Sequence, residues 1–141
     1  MTPDLQSSLL CDDVRQERNG KFILIGLFDA LGVPVFPAVI QRICIVNRWC
    51  SGEGGFTQKT RILKPDGHSI LIEGKDAPVT LQDNEATATC VEFFMNVQFE
   101  TEGTYWIEIL LNGDLKIRYP LRAKKVAPPP GYKPPEGPMP A

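Results

Sequence analysis

Between Val91 and Phe99 the chain alternates: Val91, Phe93, Met95, Val97 and Phe99 share one parity, and Glu92, Asn96 and Gln98 share the other. A period of two puts successive side chains on opposite faces of an extended strand, so one face meets a core and the other meets water. The pattern recurs after Asn112-Gly113, where Leu115, Ile117, Tyr119 and Leu121 alternate with Lys116, Arg118 and Arg122. No window of helical length shows apolar residues at i, i+3 and i+4, so the chain reads as all-β.

Turn chemistry divides the rest. Residues 9 to 18 and 21 to 28 flank Asn19-Gly20, a dipeptide suited to a type I′ hairpin, which makes the first two strands antiparallel neighbours. Two prolines in Leu31 to Pro37 end that ladder and predict a crossing loop. The run from Ala38 to Cys50 is apolar on both parities, as in a central strand, with Gln41, Arg42, Asn47 and Arg48 interrupting it. The Gly-rich segment Ser51 to Gly55 reads as a hairpin tip into the next strand. It is no phosphate loop, because neither a helix nor a Lys-Ser/Thr follows it. Pro65-Asp66-Gly67 marks another turn before a short strand at Ser69 to Glu73. About seven to nine short strands with regular turns predict an antiparallel β-sandwich.

Charge and composition narrow the partners. With 15 Lys+Arg against 17 Asp+Glu, the net charge of -2 gives no bulk attraction to nucleic acid or to an anionic membrane. No apolar run is long enough to span a bilayer and the first residues lack a signal-peptide pattern, so the expectation is a cytoplasmic protein. Cys11, Cys44, Cys50 and Cys90 form no CxxC or Cys/His cluster and read as buried thiols rather than zinc ligands. After Val126 the composition changes: seven of the 13 prolines fall in the final stretch, which has almost nothing to bury. The division is therefore a sandwich domain over residues 1 to 126 and a disordered Pro-rich tail over 127 to 141, either a spacer or a polyproline ligand.

Catalytic groups are scarce. His68 is the single histidine and belongs to a polar turn; Ser69 beside it points to the other face and completes no triad. Asp12, Asp13 and Asp29, gathered by the first hairpin, read as water-facing carboxylates, one of them paired with Arg15, rather than as a calcium site or an acid pair. Arg42, Arg48, Lys59, Arg61 and Lys64 make one hairpin locally basic and read as a solvated face. No catalytic residue, metal or cofactor is expected. What remains as a possible contact surface is aromatic: Trp106 and Leu110 have the parity opposite to Tyr105, Ile107 and Ile109, which places them on an outer face, and Trp49 and Phe36 are the loop aromatics of a rival reading.

Gly103-Thr104-Tyr105 at the start of a late strand resembles the tyrosine corner of immunoglobulin-like domains, with Ile107 where those domains carry a cysteine. More broadly, LLCDDVRQERNGKFILIGLFD, FPA, RILKPDG and FETEGTYWIEILLNGD make the chain from Leu9 to Arg122 resemble a bacterial family of small immunoglobulin-like domains of unknown function. The resemblance implies an immunoglobulin-like fold and no activity. Two functions follow from these features. One is a non-catalytic protein-interaction or structural module that binds a protein partner or self-associates through a sheet face or edge; the other is a small-ligand or carbohydrate-binding sandwich using Phe36 and Trp49.

Overall fold

A computed structural model describes residues 2–127 and 131. The Pro-rich tail lies outside the described residues, apart from Ala127 and Gly131. The described chain is all-β, with ten strands: β1 Asp4–Gln16, β2 Phe22–Phe28, β3 Ala30–Val33, β4 Ala38–Cys50, β5 Gly54–Leu63, β6 Ile70–Glu73, β7 Ala77–Leu81, β8 Thr87–Phe99, β9 Gly103–Leu111 and β10 Asp114–Lys125. They form two sheets, one ordered β2-β1-β4-β8 and the other β3-β10-β9-β5-β6, with β7 also pairing β5.

The sheets enclose one main core, to which Leu10, Ile43, Ile45 and Trp49 come from the first sheet and Ile62, Ile107, Ile109 and Leu121 from the second. Their alternation along each strand is what the sequence pattern demands of a two-layer β-fold. The chain passes from one sheet to the other and back through β3, so the Pro-rich connection does cross, as expected. Before it does, Ala30–Val33 adds a parallel edge strand beside β10.

Three expectations are corrected. The Gly-rich segment after Cys50 is not a hairpin tip, because β4 and β5 lie in different sheets; the chain there climbs across the end of the sandwich, with Gly52 buried against Pro3. The Asn19-Gly20 turn is not type I′, since Gly20 alone has a positive φ, 91°, and Glu17 and Lys21 close a longer loop. The type I′ geometry occurs instead at Asn112 and Gly113, with φ of 49° and 84°. Finally, the alternation from Val91 to Phe99 does not hold one parity. Phe94 is buried and Phe93 and Met95 are exposed, whereas Val97 and Phe99 are buried. Asn96, with φ of 54°, sits at the break and turns the strand's phase by one residue.

Tyr105 forms the corner the sequence pattern implied. Its ring is buried edge-to-face on Phe99, with centroids 4.7 Å apart, and its hydroxyl donates to the Thr101 carbonyl oxygen at 2.8 Å.

Candidate functional site

The aromatic positions singled out from the sequence part company. Trp49 is fully buried between the sheets, where its indole Nε1 donates to Gln58 Oε1 at 2.7 Å. It is a core residue and no loop-rim aromatic, because β4 runs straight through its position and turns it inward beside Ile43 and Ile45. Phe36 is half-buried and packs against the same core. The pair that a ligand-binding rim requires is therefore spent on packing.

Trp106 and Leu110 do project from the face of β9 opposite Tyr105, Ile107 and Ile109, yet they form no open apolar patch. Between them Glu108, only 4% exposed, accepts from Arg61 Nε at 2.7 Å and faces Arg118 Nη1 at 3.7 Å. The Arg118 guanidinium lies 4.8 Å from the Trp106 ring centroid and also donates to the Gly67 carbonyl. The Arg118 side chain thus roofs the partly buried tryptophan, and Leu110 is buried. Parity alone could not reveal this, because it fixes the face and says nothing of what the neighbouring strands lay over it.

The expected basic surface is also divided. Arg42 reaches across its sheet to Asp13 at 2.9 Å, Lys59 pairs with Glu73 at 3.0 Å, and Arg61 with Glu108. Arg42 and Arg48 belong to one sheet and Lys59 and Arg61 to the other. Of the acidic trio, Asp13 is bound by Arg42 and, more loosely, by Arg15. Among the described residues no three His, Cys, Asp or Glu side chains stand together as a metal-holding group. His68 is exposed in its turn, where Asp66 accepts from the backbone N–H of His68 and Ser69 and from the Ser69 hydroxyl. Those bonds, that from Ser69 Oγ foremost, hold the Asp66 carboxyl well below the usual carboxylate range.

Sequence reasoning passed over the first hairpin. β2 is the outermost strand of its sheet, paired on one side only, with β1. Phe22, Ile23, Ile25 and Leu27 remain 40, 42, 42 and 60% exposed. A signal existed in the composition: Phe22 to Phe28 holds neither a charge nor a proline, the usual protections of an exposed edge. Gly26 explains how both faces become apolar. At φ of 71° it has no partner in the β1 ladder, and the Asp12 side chain occupies the space its Cβ would take. The hairpin bends there. Beyond the bend Val14 and Leu24 pack on the outer side of the sheet over Cys11, Cys44 and Val46, a second small apolar cluster. Burial raises the Cys44 thiol to about 11 and the Cys11 thiol in the same direction, so both stay protonated and unreactive. A cleft of about 620 Å³ lies beside this cluster, with Leu9, Phe22, Leu24 and Val46 as its apolar wall and Lys21 and Arg48 among its lining residues.

A family model described as a family of unknown function, DUF6941, matches residues 6–124. The chain belongs to that family. No curated protein matches it. The match begins within β1 and ends in β10, so it takes in all of β2, the β1 residues that pair with it, and most or all of every other strand in both sheets. No helix among the described residues is long and apolar enough to cross a membrane.

Proposed function

We propose that this DUF6941 chain is a non-catalytic, immunoglobulin-like interaction module that engages a protein partner along β2. The observation that carries the reading is the exposed edge itself: seven consecutive residues without charge or proline, four of them large apolar side chains at least 40% exposed. An unpaired strand edge offers backbone donors and acceptors to an incoming strand, and the flanking apolar side chains reward its docking. The immunoglobulin-like assignment is supported by the Tyr105 corner and by β3, which leaves the first sheet to lie parallel beside the last strand of the second. Four free cysteines favour a reducing compartment and a cytoplasmic location. The neutralisation of Arg42, Lys59 and Arg61 within the chain argues against nucleic acid or an anionic membrane as the partner.

Photoreactive residues placed one at a time at Leu27 and at Arg122, on the outer side of the second sheet, test the module in the producing cell. Adducts with protein are expected from Leu27 and not from Arg122. Cells that yield no adduct at Leu27 would remove the basis for the proposal.

A further inference from the structure

We infer that the cleft of about 620 Å³ between the first hairpin and its own sheet binds a small amphipathic anion, a carboxylate carried on an apolar chain. β1 pairs with β4 from Asp4 to Cys11, whereas its ladder with β2 runs on to Gln16 and Phe22, so the far half of the hairpin is an arm without a β4 neighbour. The bend at Gly26 lays that arm back over the outer face of the sheet. Val14 and Leu24 rest on Cys11, Cys44 and Val46, and Asn19 to Phe22 line the same cleft as Ser7, Arg48 and Thr89. The cleft thus has a floor from the sheet and a wall from the arm, and its volume falls in the range of small-ligand sites.

The register fixes what the floor presents. Asn47 and Trp49 are fully buried between the sheets, so Arg48 between them points outward. Ser7 on β1 and Thr89 on β8 are its partners across the ladders and share that face. Two residues along, about 7 Å of strand, Leu9 and Val46 form the next row. A guanidinium flanked by two hydroxyls therefore gives way to apolar side chains, and Phe22 and Leu24 add to them from the arm. Lys21 on the arm is a second cation among the lining residues. Neither Arg48 nor Lys21 enters an ion pair among the described residues, and no carboxylate is among the lining residues. Arg42, on the same strand as Arg48, is by contrast neutralised by Asp13. Two cations left without a counter-charge beside an apolar wall select an anion with an apolar body. A guanidinium receives a carboxylate through two parallel hydrogen bonds, a geometry that an ammonium cannot offer.

The test is calorimetric titration of the purified full-length chain with octanoate, and with acetate, octanol and octylammonium as comparisons. Octanoate is expected to saturate at one molecule per chain, and each of the other three to bind at least about tenfold more weakly, since each lacks either the charge or the apolar chain. Arg48→Gln should weaken octanoate about tenfold, the scale of one charge-assisted pair lost, and Phe22→Ser about three- to tenfold. Both side chains are exposed, so an unchanged urea midpoint shows that the fold survives. Arg122→Gln, on the second sheet, should leave the constant as it is. Amide resonances of Ser7, Val46, Arg48 and Thr89 should shift together with those of Asn19 to Leu24. Failure of octanoate to saturate overturns the inference, as does equal binding of acetate, octanol or octylammonium. Saturation that neither Arg48→Gln nor Phe22→Ser weakens places the anion elsewhere and overturns it too. Leu27 adducts report on the edge of β2 alone, so this site and the interaction module can fail separately.

Discussion

Tyr105 shows how one polar atom fixes a corner. Its hydroxyl donates to the Thr101 carbonyl and lies 3.4 Å from the Thr101 backbone nitrogen, so the loop between β8 and β9 is tied to the ring four residues on. Tyr105→Phe leaves a carbonyl without that donor and should destabilise the fold by about 1 to 2 kcal/mol in urea titration. A variant as stable as the wild type would mean that the corner is held by Phe99 packing alone. Glu92 is a second case, with the opposite consequence for stability. Its Oε2 is buried with no hydrogen-bond partner, and burial raises its pKa above the ordinary 4.5, opposed by a hydrogen bond with Thr60. A carboxyl whose folded pKa is raised favours folding in its protonated form. That contribution is complete below the unfolded pKa and is lost as pH rises through the folded value. Glu92→Gln keeps the shape and removes the titration. The variant should therefore gain stability relative to wild type as pH rises above the ordinary 4.5, and a difference independent of pH would show that the carboxyl is solvated.

At the scale of the element, the bend in β2 has a single cause that a double substitution can separate. Gly26→Ala forces a side chain into left-handed backbone, at roughly 1 to 2 kcal/mol, and also drives its Cβ into the Asp12 carboxylate. In an Asp12→Ala background the collision is relieved and the backbone cost remains, so the penalty for Gly26→Ala should fall to about that range. Equal penalties in both backgrounds would mean that Asp12 already moves aside freely. The same element shows what the sequence could and could not convey. Two strands around residues 9 to 28, joined by a turn and antiparallel, were legible from alternation and from Asn19-Gly20. The bend was not, because a positive φ at one residue shifts the phase of everything beyond it without altering composition. Asn96 did the same in β8, where an unbroken alternation assigned Phe93 and Met95 to the core although both are about half exposed. The candidate site was legible only as an absence. No charge or proline guards Phe22 to Phe28, and that becomes meaningful once the strand is known to lie at an edge. Trp106 drew notice instead, because a large aromatic on an outward parity looks exposed until Arg118 is found above it.

For the whole molecule, the question is whether two sheets behave as one unit. They share the main core, and polar ties also cross between them at two places. Ser8 on β1 and Tyr119 on β10 share a hydrogen bond of 2.8 Å, and burial pushes the Tyr119 phenol up to about 12, so it stays neutral over the physiological range. Trp49 on β4 donates to Gln58 on β5, whose Oε1 lies 3.4 Å from Asn47 Nδ2 as well. A joint core and ties at separate points leave neither sheet a stable face of its own, which requires cooperative unfolding. Trp49 reports the interface directly once Trp106 is replaced by Phe. Its fluorescence and the far-ultraviolet circular dichroism should then trace the same urea transition. Gln58→Leu leaves the indole N–H and the Asn47 amide buried without that acceptor, and should lower the common midpoint by the equivalent of about 1 to 3 kcal/mol while keeping the two probes superimposed. If fluorescence changed before the circular dichroism, the sheets would be separating ahead of their own unfolding, and the polar ties rather than the shared apolar core would be what makes the domain one cooperative body.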